Sequence, residues 1–342
     1  MARRLGDPET LVQALDSATY LLAGTSRAHE RRQMLVEQLE LLGPTGRVEP
    51  MIYVHLASVE LQLGRRDQAE SAVQRAVALG HERHMMFVLN NALRLVAALA
   101  LMEGRFSAAR RLAAQSRDAG KQASEAVPLG YPGEILGARI EQGPDLGLLE
   151  VIKNVSGDVP ALAARRAMVA GLYADLGHFD EARAELRSVA ASGFAEVSRD
   201  TTFPLAIRYL AESCCQLREV KFARRLLKEV ESYAGQVLLE GLGTSVQAAA
   251  DRSLGQLYWT LGRVDDADRS FSAARELELQ IGAPPLVART CYWHAKMVAS
   301  TRSTEVVPRA AMLLDETLRT TGALGMTLLN RQAHELKDSL RH

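Results

Sequence analysis

The chain has 342 residues, 47% apolar and 24% charged, an ordinary composition for a folded protein with one extended core or two to three compact ones. Its 41 basic and 41 acidic side chains cancel, so no global field favours nucleic acid or an anionic membrane. The longest apolar run, LVAALALM at 95–102, is far short of a bilayer span, and the charged N-terminus has no secretory leader, so the cytoplasm is the expected location.

Low aromatic content and the absence of alternating Val/Ile/Thr-rich runs predict helices almost throughout. Residues 8–42 predict a first helical hairpin. One local pattern then recurs, as LASVELQLGRRDQA at 56–69, VAGLYADLGHFDEA at 169–182 and LGQLYWTLGRVDDA at 254–267. In each, a small residue (Ala57, Ala170, Gly255) precedes a Gly (Gly64, Gly177, Gly262), and an Ala (Ala69, Ala182, Ala267) follows it. Taking this turn as the anchor of each unit gives Gly64, Gly104, Gly143, Gly177, Arg218, Gly262 and roughly Arg302, at steps of 34 to 44 residues. The spacing predicts about seven to eight helical hairpins, clearest over 51–80, 162–192 and 247–281, closed by a helix over 324–340. Pro- and Gly-containing joints at 43–50, 127–133, 156–160 and 282–285 are too short to be domain linkers, so residues 1–342 read as one repeat domain whose units touch only their neighbours.

Each residue type in the unit has a physical reason. Gly255, Ala267 and Ala274 let two helix backbones approach closely, while Leu254, Tyr258 and Phe271 fill the space beside them. Gly262 stands where the first helix must stop and turn, a place for positive φ. Asp265 and Asp266 then meet the positive end of the next helix dipole.

This unit resembles the tetratricopeptide repeat, with Leu254, Gly255, Tyr258, Gly262, Ala267, Phe271 and Ala274 on its signature positions. A longer stretch over roughly 150–330 is similar to the C-terminal repeat array of large bacterial signalling ATPases, which carry a cyclase, a protein kinase or a LuxR- or MalT-type DNA-binding domain on the same polypeptide. Arg218 in place of the turn glycine and the short, Pro-interrupted unit around Gly143 depart from the pattern. The resemblance implies an all-α, right-handed superhelical solenoid, first helices lining its concave face, that regulates an attached effector.

Candidate chemistry is sparse. No G-x-x-x-x-G-K-[ST] phosphate loop occurs, and EGLGTS at 240–245 reads as a loop whose Thr244 or Ser245 caps the next helix. His81 and His84 have a chelating spacing but no third ligand, and read as a solvated loop. Cys291 and His294 share one helix and lack an orienting third group. The acidic pairs at 180–181, 265–266 and 315–316 fall at helix starts or on charged faces. Cys214, Cys215 and Cys291 read as small buried hydrophobes. No catalytic residue, metal site or cofactor is expected.

Placed on the repeat frame, Arg94, Arg208, Arg252, Arg289 and Lys296 form a basic concave strip with Glu212, Gln256, Trp259 and Tyr292. The expected function is a non-catalytic docking or sensor arm. Its partner would be a protein or peptide carrying acidic and apolar side chains, or another segment of the parent protein, without direct nucleic-acid or membrane contact. The alternatives are a small-ligand sensor, which a narrow apolar pocket would favour over an open groove, and a self-associating scaffold.

Overall fold

The computed structural model describes residues 7–42, 48–123, 133–154, 162–191, 194, 197, 199–301 and 307–340. It is all-α apart from one small hairpin. The helices in chain order are α1 (Pro8–Leu21), α2 (Ala28–Leu42), α3 (Met51–Gln62), α4 (Arg66–Glu82), α5 (Met86–Met102), α6 (Phe106–Ala123), α7 (Gly133–Gln142), α8 (Leu146–Asn154) and α9 (Leu162–Asp175). There follow α10 (Phe179–Ala190), α11 (Phe203–Leu217), α12 (Val220–Val230), α13 (Ala250–Thr260), α14 (Val264–Gln280), α15 (Pro284–Ser300), α16 (Val307–Leu324) and α17 (Thr327–Ser339). Successive helices pack in pairs, α3 with α4, α5 with α6, α9 with α10, α11 with α12, α13 with α14 and α15 with α16, and each pair leans on the next. The unit α7/α8 is looser: α7 packs on α5 and α6, and α8 on α9.

The turns within the pairs repeat one geometry. Gly64, Gly104, Gly177 and Gly262 have φ of +71°, +78°, +84° and +76°, and Arg218 takes the same left-handed region at φ 55°. The residue after each donates its N–H five residues back, Arg65 to Glu60, Arg105 to Ala100, His178 to Tyr173, Glu219 to Cys214 and Arg263 to Tyr258, at 2.8–2.9 Å. Inside a pair, Gly255 gives way to a ring: a Cβ there would lie 2.9 Å from three atoms of Phe271, which is wholly buried. The anchor at Arg302, and the joints at 127–132 and 156–160, lie outside the described residues.

Two expectations are corrected. Residues 237–249 form an antiparallel hairpin, β1 (Val237–Glu240) and β2 (Ser245–Ala249), so EGLGTS is its turn. Neither Thr244 nor Ser245 caps α13, whose N-cap is Ala249 with no side-chain cap bond.

Nor do units touch only their neighbours; the chain closes on itself. Arg66 Nη1 donates to Ile281 O at 3.0 Å, Gln280 Nε2 to Gly64 O at 3.1 Å and Tyr233 Oη to Gly24 O at 2.8 Å. One apolar cluster joins Val54, Leu61 and Leu95 to Val237, Ile281 and Leu286; another joins Leu101 and Phe106 to Trp293, Leu314 and Leu329. Closure buries apolar surface that an open array would leave wet.

Candidate functional site

The inner helices converge on a buried ionic cluster. Arg208 and Glu212 come from α11, Arg252 and Gln256 from α13, and Arg289, Tyr292, Trp293 and Lys296 from α15. Their setting differs from a solvated basic strip. Arg208, Glu212, Arg252, Gln256, Arg289 and Tyr292 are all buried; Arg94, Trp259 and Lys296 are half-buried.

Acids from α7, α9 and α14, and Glu212 from α11 itself, lie beside the arginines. Arg289 Nη2 donates to Glu141 Oε2 at 2.8 Å, and its Nη1 lies 3.9 Å from Asp175. Arg208 lies 3.9 Å from Glu141 and 4.0 Å from Glu212. Arg252 lies 3.5 Å from Glu278 and donates to the carbonyls of Leu286 and Gln247 at 3.2 and 3.0 Å. Trp293 Nε1 donates to Glu212 Oε1 at 3.3 Å, the Lys296 ammonium sits 4.9 Å over the Trp293 ring, and Trp259 meets that ring edge-on at 6.5 Å. Three of the five basic residues of the expected strip, Arg208, Arg252 and Arg289, therefore lie buried beside acids.

The electrostatics follow from burial. Asp175 is pushed up to about 7 by burial and by neighbouring Glu212, against the pull of Arg289. Burial also raises Glu141, but Arg289 and Arg208 outweigh it and hold this carboxyl below its ordinary range. Arg252 is lowered and Glu278 raised, both by burial, so desolvation outweighs the attraction within that pair.

Beside the cluster lies a cavity of about 210 Å³. Its lining comes from α5 (Arg94, Leu101), α7 (Ile140, Glu141), α8 (Val151), α9 (Arg165, Met168), α11 (Leu205, Arg208), the β-hairpin (Glu240, Gln247) and α15 (Leu286). Closure creates it, because its walls come from helices on both sides of the chain's midpoint. Of the residues singled out in the sequence, Arg94 and Arg208 of the expected strip line it, as do Glu240, Thr244 and Ser245 of EGLGTS. Glu141, Arg165 and Gln247 escaped sequence reasoning. Glu141 sits in the irregular unit that the repeat frame does not index, and Gln247 lies in β2, where the helical repeat over 247–281 is expected to begin.

The remaining candidates stand apart from one another. His81 and His84 are exposed at the end of α4, His84 with φ 53°. Cys291 and His294 do not pair; His294 Nε2 meets Asp268 at 2.8 Å, and burial pushes the Cys291 thiol up to about 12. Cys214 and Cys215 are buried, and burial raises both thiols. Asp180, Glu181, Asp265 and Asp266 lie in first turns, whereas Asp315 and Glu316 pair with Lys337 and Arg275. Among the described residues no helix is long and apolar enough to cross a membrane. No protein-family model matches the chain, and no curated protein is significantly similar to it.

Proposed function

We propose that this chain is a non-catalytic sensor module, a tetratricopeptide-like helical array closed around a small-molecule site. The cavity carries this reading, its wall combining aliphatic side chains such as Leu101, Ile140, Met168 and Leu205 with five charged and three uncharged polar residues, groups that could orient a ligand. Closure supplies the mechanism. A ligand that contacts α5, α9, α11 and the β-hairpin together binds the closed array better than an open one, and shifts the population by that difference. By the resemblance of residues 150–330, the readout is an ATPase, cyclase, kinase or transcription-factor domain attached to the array. A peptide-docking groove along the expected basic strip is the weaker reading, since Arg208, Arg252 and Arg289 are buried beside Glu141 and Glu278.

Thermal unfolding against a panel of small metabolites tests the proposal, with Val151→Trp as the cavity-blocking control at a half-buried lining position. A ligand at 100 times its Kd adds about 2.7 kcal/mol, a shift of a few degrees. Stabilisation of the parent that Val151→Trp abolishes supports the sensor; a panel without effect, or one acting equally on both, contradicts it.

A further inference from the structure

The charged groups on the cavity wall already have partners. Glu141 accepts from Arg289 at 2.8 Å and lies 3.9 Å from Arg208, and Arg94, Arg165 and Glu240 are each engaged elsewhere. A further charge brought into this space would shed its water without meeting a free counterion. The uncharged polar side chains of the β-hairpin are engaged as well. Thr244 Oγ1 donates to Glu240 O at 3.1 Å, Gln247 Nε2 donates to Ser245 Oγ at 2.7 Å, and Gln247 Oε1 accepts from Arg208 Nη1 at 3.4 Å. Tyr209 differs. It lines the cavity from α11 and is only 1% exposed, yet among the described residues its hydroxyl makes no hydrogen bond. The ring is held firmly: the Arg208 guanidinium lies 4.2 Å over it, and a Cβ at Gly171 of α9 would come within 2.5 Å of its Cδ1. Burial pushes the phenol up to about 12, so at neutral pH the oxygen keeps its proton and can donate. Buried tyrosine hydroxyls ordinarily find a partner.

We infer that the cavity takes a compact neutral molecule, an apolar body bearing one hydrogen-bond acceptor such as a carbonyl, with the Tyr209 hydroxyl as donor to that group. This names the ligand class of the sensing reading and rests on it. Leu101, Ile140, Met168, Leu205 and Leu286 supply the wall that an apolar body needs. Size narrows the class. A cavity of about 150 Å³ holds benzene, so about 210 Å³ accommodates roughly eight or nine heavy atoms, the scale of acetophenone.

Isothermal titration calorimetry of the whole chain with acetophenone, ethylbenzene and benzoate, three molecules of nearly one shape, tests the inference in the parent and in Tyr209→Phe. One acetophenone is expected to bind per chain. Ethylbenzene should be about fivefold weaker, the worth of one neutral hydrogen bond, and benzoate weaker by about 30-fold or more, the cost of stripping water from its carboxylate. Tyr209→Phe deletes the hydroxyl and keeps the ring, so it should erase the preference for acetophenone over ethylbenzene and leave the affinity for ethylbenzene unchanged. Benzoate or ethylbenzene bound by the parent as tightly as acetophenone, or a folded Tyr209→Phe that keeps the full preference for the ketone, overturns the inference; loss of that same binding in Val151→Trp would show that the sensing reading survives. Should Tyr209→Phe not fold, the order of the three affinities in the parent decides alone. Absence of binding by all three also overturns the inference, and the sensing reading falls with it only if the wider metabolite panel leaves the chain unstabilised.

Discussion

Replacing Gly255 by leucine tests the contact on which the repeat is built. A Cβ at 255 would stand 2.9 Å from Cγ, Cδ1 and Cε1 of Phe271, against the 3.5–4.0 Å of an optimal carbon contact, so the ring must retreat by roughly half an ångström or more even for alanine. Alanine recovers about 1 kcal/mol of helix propensity, and Gly255→Ala is therefore expected to be near neutral. Leucine brings three further carbons into a site where Phe271 is 0% exposed. Overpacking of about 1–3 kcal/mol, together with partial loss of the 1.5–3 kcal/mol from burying the phenyl ring, gives a cost of about 2–4 kcal/mol. Phe271→Ala alone costs about 3–5 kcal/mol through its cavity. In the double variant the leucine occupies the space the ring vacates, so the two costs fall short of additive by at least about 1 kcal/mol. Urea unfolding followed by far-UV circular dichroism measures all four proteins. Additivity within about 0.5 kcal/mol, or a Gly255→Leu variant as stable as Gly255→Ala, would refute the interlock.

Arg218 is exposed with φ 55° and ψ 40°, so Arg218→Gly relieves about 1–2 kcal/mol of left-handed strain against a glycine entropy cost of about 0.5–1, a net gain of up to about 1 kcal/mol readable as a raised Tm. Asp175, raised from 3.8 to about 7, holds a proton in the folded chain that the unfolded chain has released; it contributes a stability slope that falls as pH rises from about 4 to 7, by up to about 1.4 kcal/mol per unit, and is flat above. Urea midpoints of Asp175→Asn against the parent across that window should recover this slope as their difference, and parallel curves would remove Asp175 from the account. His55 runs oppositely: burial and Arg31 lower it to about 4, so its contribution is lost as pH falls below 6.5, and His55→Gln should lessen that acid sensitivity in the same assay.

The turn positions were the most legible part of the fold. A glycine seven residues after a small helical residue carries its own backbone reason, and Gly64, Gly104, Gly177 and Gly262 all take positive φ. Arg218 was placed by spacing alone and takes the same conformation without the residue type that favours it. Helical periodicity indexes a face, and of the expected inward column Arg208, Arg252 and Tyr292 are buried while Arg94 is half-buried. What covers that face was not legible. Arg289 meets Glu141 across 148 residues and Arg66 meets Ile281 across 215, and such pairings leave no local trace in sequence. The β-hairpin escaped because VLLE and SVQAA are short and lack aromatics, although two apolar runs flanking Gly241 and Gly243 were the available signal. Closure and cavity both follow from those unread contacts.

Closure of the array is the claim on which cavity and sensing depend, and small-angle X-ray scattering of the chain in solution tests it most directly. A compact body of 342 residues has a radius of gyration of about 20 Å, the value the contacts from Arg66 to Ile281 and from Tyr233 to Gly24 require. An open stack of such helix pairs, at about 9 Å between neighbouring axes, would extend over roughly 70–80 Å and give a radius of about 22–25 Å. A measured value near 20 Å agrees with the closed array; a value of about 23 Å or more for the monomer would contradict it and return Arg208, Arg252 and Arg289 to solvent.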